Sequence, residues 1–188
     1  APYYNRPSAE GVYRHIMAIV EATDLPVMIY DIPGRTGVRI TDATLARLAE
    51  HDRILAVKDA TGDVEQGFRR MEATGLEYYS GDDGLNFAWL AHGASGVVSV
   101  VAHADAHSWR EMITEVDAGD LAGARAVARR IRPLVQAIMG GGQGAVMAKE
   151  ALLLQGRIPS AALRLPLVRA EADEVAALRA VLDASGLL

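Results

Sequence analysis

Among the 19 lysine and arginine residues of this 188-residue chain, only Lys58 and Lys149 are lysines, and Lys58 closes the apolar run Ile54-Leu55-Ala56-Val57-Lys58. The C-terminal end of a buried strand is where the loops of an α/β protein converge and where reactive groups collect. Burial there disfavours the ammonium form and supplies the neutral amine that condenses with a carbonyl substrate to a Schiff base. The plainer alternative is a lysine that snorkels from the strand end to pair with Asp59. Tyr30 ends the preceding run, Pro26-Val27-Met28-Ile29-Tyr30, in the equivalent position. Neighbouring parallel strands would therefore set a phenol beside the amine, a sensible proton shuttle. Taken singly, Tyr30 also reads as a tyrosine that caps the core and bonds a loop carbonyl. Arg35 follows in the loop Ile32-Pro33-Gly34-Arg35-Thr36-Gly37, where its planar fork could clamp a substrate carboxylate or be solvated. Amine, shuttle and clamp fall on one rim, and that convergence favours the chemical reading of all three.

Other candidates carry less. The run Gly140-Gly141-Gly142-Gln143-Gly144 lacks the Gly-Lys-Ser/Thr ending of a phosphate cradle and reads as a turn between helices. His103 and His107 stand four apart and could share a metal, but with no third ligand at a fitting spacing they read as capping or solvated groups. His15, His51 and His92 are isolated, Trp89 and Trp109 read as packing residues, and no metal is assigned.

The elements that must position these groups alternate. Strand-like runs cover 26–30, 54–58, 76–80 and 96–100, and most are nearly continuous apolar stretches, as expected of parallel strands covered on both faces. Helical periodicity fills residues 8–23, 41–51, 63–74 and 84–92, with Ser8, Thr41 and Asp63 as N-caps. Beyond Ala102 only helices are expected, over 104–117, 119–138, 143–154 and 172–186. Four βα units make either a small doubly wound sheet or half of an eight-stranded barrel. The turn after the first strand, Tyr30-Asp31-Ile32-Pro33-Gly34-Arg35, is not the glycine-rich phosphate turn of a doubly wound fold, which favours the half-barrel. The expected fold is α/β, the C-terminal part of a (β/α)8 barrel, with residues 1–102 as barrel and 103–188 as the last barrel helix and a helical extension.

Composition narrows the rest. With 51% hydrophobic residues the chain can bury a sizeable core. Its 24 acidic residues, net charge of -5 and lack of a basic stripe argue against a nucleic-acid partner. The absence of cysteine excludes disulfides, thiolate metal sites and a cysteine nucleophile, and fits a reducing cytosol. No apolar run reaches the roughly 18 residues of a membrane span. Ala1-Pro2-Tyr3-Tyr4-Asn5-Arg6-Pro7 forms no targeting segment and carries no initiator Met, so the chain is expected to start mid-protein.

The motifs as a set resemble the dihydrodipicolinate synthase and N-acetylneuraminate lyase superfamily of Schiff-base (β/α)8 enzymes. Tyr30-Asp31-Ile32-Pro33-Gly34-Arg35-Thr36-Gly37 and Ile54-Leu55-Ala56-Val57-Lys58-Asp59-Ala60-Thr61-Gly62 look like its paired signature. Pro2 to Pro7, Ser80-Gly81-Asp82-Asp83 and Gly96-Val97-Val98-Ser99-Val100 agree in order and spacing. The resemblance implies that Lys58 forms an imine with pyruvate, that Tyr30 relays protons, and that Tyr4 reaches across a dimer seam to complete the partner's relay. It further implies that Gly81 and the Val98 carbonyl line the pyruvate pocket. Arg35 points to the branch in which an arginine here holds the carboxylate of aspartate 4-semialdehyde, the product being hydroxytetrahydrodipicolinate on the route to diaminopimelate and lysine. The same resemblance implies a cytoplasmic homotetramer built from tight dimers and no cofactor, since the imine itself is the electron sink. The residues match the later part of the family pattern; a Gly-Thr-Thr-Gly-Glu stretch with a further relay threonine belongs to the earlier part. A sugar-acid aldolase of the same superfamily and an inactive barrel fragment acting in assembly are the competing readings.

Overall fold

Alternating apolar strand runs and amphipathic helical ones set the order of the first compact unit, Ala1–Val98. It runs α1 (Ala9–Glu21), β1 (Val27–Asp31), the single turn α2 (Pro33–Thr36), α3 (Asp42–Ala49), β2 (Ile54–Asp59), α4 (Val64–Thr74), β3 (Glu77–Ser80), α5 (Asn86–Ala91) and β4 (Gly96–Val97). The structure, a computed structural model, describes residues 1–141 and 143–188. The three expected caps close helix starts: Ser8 accepts from the Gly11 amide, Thr41 from Thr44 and Asp63 from Gln66. Each satisfies an amide that has no intrahelical partner.

The four strands are all parallel and lie in the order β1-β2-β3-β4. An order without reversal has no switch point, which separates this sheet from a doubly wound one. Right-handed crossovers of such a sheet place every helix on the same face. Ile29, Val57 and Tyr78 are buried there with Val12, Ile16 and Val20 of α1, Leu45 and Leu48 of α3 and Trp89 of α5. A methyl-rich side chain sealed in this way contributes about 1.5–3 kcal/mol.

The sequence differs from the structure in three places. Near-continuous apolar strands were expected to be covered on both faces, yet on the other face Met28 is 41% and Tyr30 36% exposed among the described residues. On that face Ala56 is buried beside them, but the larger side chains are not, and Leu55, unpaired where the ladder shifts register between Val27 and Met28, is exposed as well. The fourth strand is Gly96–Val97 rather than 96–100, because Val100 turns to helical φ/ψ ahead of a 3₁₀ turn at Val101–His103. The expected loop 32–37 contains α2: Pro33 starts it with φ preset for a helix, and Gly37 ends it at φ +74°.

The second unit, Ser99–Leu188, is helical after its 3₁₀ turn: α6 (Ala106–Asp117), α7 (Leu121–Met139), α8 (Gly144–Leu154) and α9 (Ala172–Ala184). Asp105 and Asp120 cap α6 and α7, and a reciprocal pair of Glu171 and Glu174 caps α9. Trp109, Met112, Val127, Ile131, Leu134, Ile138, Leu178 and Leu182 are buried. The glycine run does separate two helices, α7 and α8; Gly142 lies outside the described residues. His103 and His107 do not share a helix face, because the Asp105 cap starts α6 between them and the His103 ring bonds the Val100 carbonyl. No cluster of three metal-ligating side chains occurs among the described residues. No helix among them is long and apolar enough to cross a membrane.

Candidate active site

Parallel register places Tyr30 opposite Lys58, Lys58 opposite Tyr79, and Tyr79 opposite Gly96, so the four form one row across the open face of the sheet. Within that row the Lys58 Nζ lies over the Tyr30 ring, 4.1 Å from its centroid. A cation over a phenol face is held by the ring quadrupole. The alternative pairing of Lys58 with Asp59 does not form, since consecutive strand residues face opposite ways and Asp59 is buried on the helix side. There its Oδ1 accepts from the Thr61 amide at 2.9 Å.

Gly81 lets the lysine through. A Cβ at that position would stand 2.8 Å from Lys58 Cε and 3.0 Å from Cγ, closer than packed carbons approach. The Gly81 amide is in turn fixed to the Asp59 carbonyl at 2.7 Å. Val98, just past β4, donates its amide to the Ser80 carbonyl at 2.8 Å and leaves its side chain 38% exposed. Tyr30, Lys58 and Gly81 are thus assembled by three successive strand ends, with Val98 at the fourth.

Arg35 and Tyr4 form a second group. Arg35 is exposed in α2, and it lines a surface groove with Tyr4, Asn5, Arg6, Gly34, Thr36 and Gly37; neither Tyr30 nor Lys58 lines that groove. Tyr4 is 85% exposed, held at φ +71° by the chain around it, and its amide reaches the Thr36 carbonyl. A non-glycine residue in the left-handed region is uncommon and stores local strain. The structure therefore brings the Lys58 amine and the Tyr30 phenol together on the sheet and carries Arg35 and Tyr4 on the loop side.

Sequence reasoning passed over the polar groups behind the row. Asp31 and Asp59 follow Tyr30 and Lys58, face the helices and are each 1% exposed. Burial pushes both carboxyls above the ordinary carboxylate range, opposed at Asp31 by the Ile40 amide and Arg70 and at Asp59 by Thr61. Arg70 of α4, 4% exposed, bridges Asp31 and Asp42; desolvation lowers its pKa, but the hydrogen bonds and charges of the two carboxylates together raise it. The buried Tyr78 phenol is likewise pushed up by desolvation. The available signal was an acidic residue ending two apolar strands, since such a group cannot be buried without a cation or donor. Tyr79 was also missed: its hydroxyl donates to Glu77 at 3.0 Å, and that bond raises its pKa.

Comparison with known proteins adds to this geometry. A model of the dihydrodipicolinate synthetase family matches residues 1–185. The chain is 46% identical over 187 residues to a 4-hydroxy-tetrahydrodipicolinate synthase of Bifidobacterium animalis subsp. lactis, covering 100% of this chain and 62% of that one. It is 50% identical over 186 residues to the protein of that name from Kineococcus radiotolerans, covering 99% of this chain and 60% of that one. The chain thus spans about three fifths of the length of these relatives. Among solved structures, dihydrodipicolinate synthase from Thermotoga maritima superposes with a TM-score of 0.94 at 39% identity, covering 100% of this chain and 65% of that one. The chloride-inhibited dihydrodipicolinate synthase from Acinetobacter baumannii, complexed with pyruvate, gives 0.93 at 36% identity, with 100% and 65% covered.

Proposed function

The chain belongs to the dihydrodipicolinate synthetase family, and from there we propose that it is the C-terminal part of a (β/α)8 barrel whose full-length form is a 4-hydroxy-tetrahydrodipicolinate synthase. Residues 1–102 supply four βα units, and 103–188 the last barrel helix and the helical extension. The observation that carries this reading is the row on the open sheet face, with Lys58 Nζ 4.1 Å from the centre of the Tyr30 ring.

In this reading the Lys58 amine attacks the ketone carbon of pyruvate, and loss of water gives the iminium. Loss of a methyl proton from the iminium gives the enamine, with the iminium nitrogen accepting the electron pair. The enamine carbon bonds to the aldehyde carbon of aspartate 4-semialdehyde. The amino group of that substrate then closes on the imine carbon and releases the Lys58 amine, leaving hydroxytetrahydrodipicolinate. Tyr30 relays protons through these steps, joined by Tyr4 of a neighbouring subunit. Arg35 holds the semialdehyde carboxylate by two parallel hydrogen bonds, while Gly81 and the Val98 carbonyl line the pyruvate pocket. No separate cofactor takes part, and the assembly is a cytoplasmic homotetramer of two tight dimers.

Borohydride trapping tests the reading. The full-length protein incubated with pyruvate and borohydride should gain one reduced pyruvyl group, mapped by peptide mass spectrometry to Lys58. An unmodified Lys58 overturns the proposal. Arg35→Ala should leave that adduct and remove use of aspartate semialdehyde; a sugar-acid aldolase would be almost indifferent to it.

A further inference from the structure

Behind the row that carries Tyr30 and Lys58, one buried arginine joins three segments. Arg70 donates from Nε to Asp42 Oδ1 at 2.7 Å, from Nη1 to Asp31 Oδ2 at 3.2 Å and from Nη2 to the Ile40 carbonyl at 2.6 Å. Asp31 ends β1 directly after Tyr30, while Ile40 and Asp42 flank the end of the segment 32–41. The Ile40 amide returns to Asp31 Oδ1 at 3.4 Å, so the two feet of that segment meet at the guanidinium. Between them the Thr36 hydroxyl lies 3.0 Å from the Ile32 carbonyl and 2.8 Å from the Val38 carbonyl, so its one proton can be donated to either and it sits between the two arms of the segment. Arg35 is carried on that tip.

A planar fork with three fixed acceptors holds its partners in one arrangement, which a flexible ammonium does not. Stability alone does not account for it, because a buried ion pair is often matched or bettered by apolar residues of the same volume. What the fork adds is direction: it sets the position of a loop relative to a strand end.

We propose that Arg70 is a positioning residue of the site. By fixing the feet of segment 32–41 against the end of β1, it sets where Arg35 presents its guanidinium relative to the Tyr30–Lys58 pair, and so governs binding of the carboxylate-bearing second substrate. The inference rests on the reading of Lys58 as the imine lysine and Arg35 as the clamp. It separates the two substrates: pyruvate reacts on the strands themselves, whereas the aldehyde meets the loop. Displacement of a binding group by about 1 Å is enough to cost up to about a hundredfold in rate.

The experiment compares full-length Arg70→Met, Arg70→Lys and the double variant Arg70→Met with Asp31→Asn. The double variant removes both charges of the pair, so Asp31 is not left as a buried carboxylate without its cation if the single variant fails to fold. The expected result is a KM for aspartate semialdehyde raised about tenfold or more. KM for pyruvate and the borohydride-trapped adduct on Lys58 should stay unchanged, and Arg70→Lys should restore part of the loss. An unaltered KM for the semialdehyde in the folded variants, or an equal loss for both substrates, overturns the proposal alone. A wild-type protein that forms no adduct on Lys58 overturns the functional reading and this proposal with it.

Discussion

Asp31 in the sheet unit and Glu150 in the helical unit are both 1% exposed, and each is met by an arginine, yet the two arginines differ. Arg70 is sealed in with Asp31, at 4% exposure, while Arg169, which grips both Glu150 oxygens at 2.8 and 2.7 Å, stays 57% exposed. An exposed guanidinium keeps its hydration and can be replaced by water; a buried one cannot. The closed arrangement occurs behind the residues proposed to do chemistry, where the strand end has to hold one position. In the helical unit the same charge pair only has to neutralise a glutamate, and an arginine at the surface suffices.

Removing each arginine is the largest test of that contrast. Arg70→Met should cost about 3–5 kcal/mol in denaturant unfolding of the full-length protein, because it strands Asp31. Arg169→Met should cost clearly less, since water reaches the place it vacates. Equal losses would erase the distinction between the two pairs.

Packing gives the next effect. A Cβ on Gly67 of α4 would fall 1.9 Å from a ring carbon of Trp89, which itself stacks on Tyr78 at 5.8 Å. Gly67→Ala should therefore destabilise by about 1–3 kcal/mol, read from the urea midpoint. A neutral result would mean that the α4–α5 contact can open freely.

The response to pH should divide buried from exposed carboxyls by sign. Asp31 has a carboxyl raised by burial, so its contribution is fully present below the ordinary value of 3.8 and is lost as pH rises through the raised one. Glu111, lowered by its hydrogen bond with Arg130, contributes above 4.5 and loses that as pH falls through its depressed value. Lowering pH should thus gain the Asp31 contribution before it loses that of Glu111. Asp31→Asn should flatten the first response in urea titrations at several pH values; a profile unchanged by it would show that Asp31 does not titrate there. Smallest of all, Glu111→Gln should change stability by about 0.5 kcal/mol or less, as its partner Arg130 is half exposed.

Much of the arrangement around Lys58 was legible. Caps at Ser8, Thr41 and Asp63 are local hydrogen bonds between residues three apart, so the sequence alone announces them. The adjacency of Tyr30 and Lys58 follows from two parallel strands that end alike, and a parallel register carries the last residues of both to the same level. The helical turn Pro33–Thr36 is not legible as a helix because four residues are too few to show a period, although Pro33 and Gly37 mark its ends. The end of the fourth strand is not legible either, because β-branched composition says nothing of where pairing stops.

Residue types and their spacing determined the alternation of strand and helix, the caps, and the placing of Tyr30 and Lys58 at equivalent strand ends, because each depends on neighbours in the chain; that Arg35 lies apart from that pair, in a groove with Tyr4, was decided by the fold. The tertiary structure decided which sheet face the helices cover, and that Arg70, 39 residues from Asp31, is the cation its buried carboxylate requires. It also decided that Gly81 is the gap through which Lys58 passes. These depend on which distant segments meet once the strands have paired, and burial then selects the few side chains that can satisfy one another out of water.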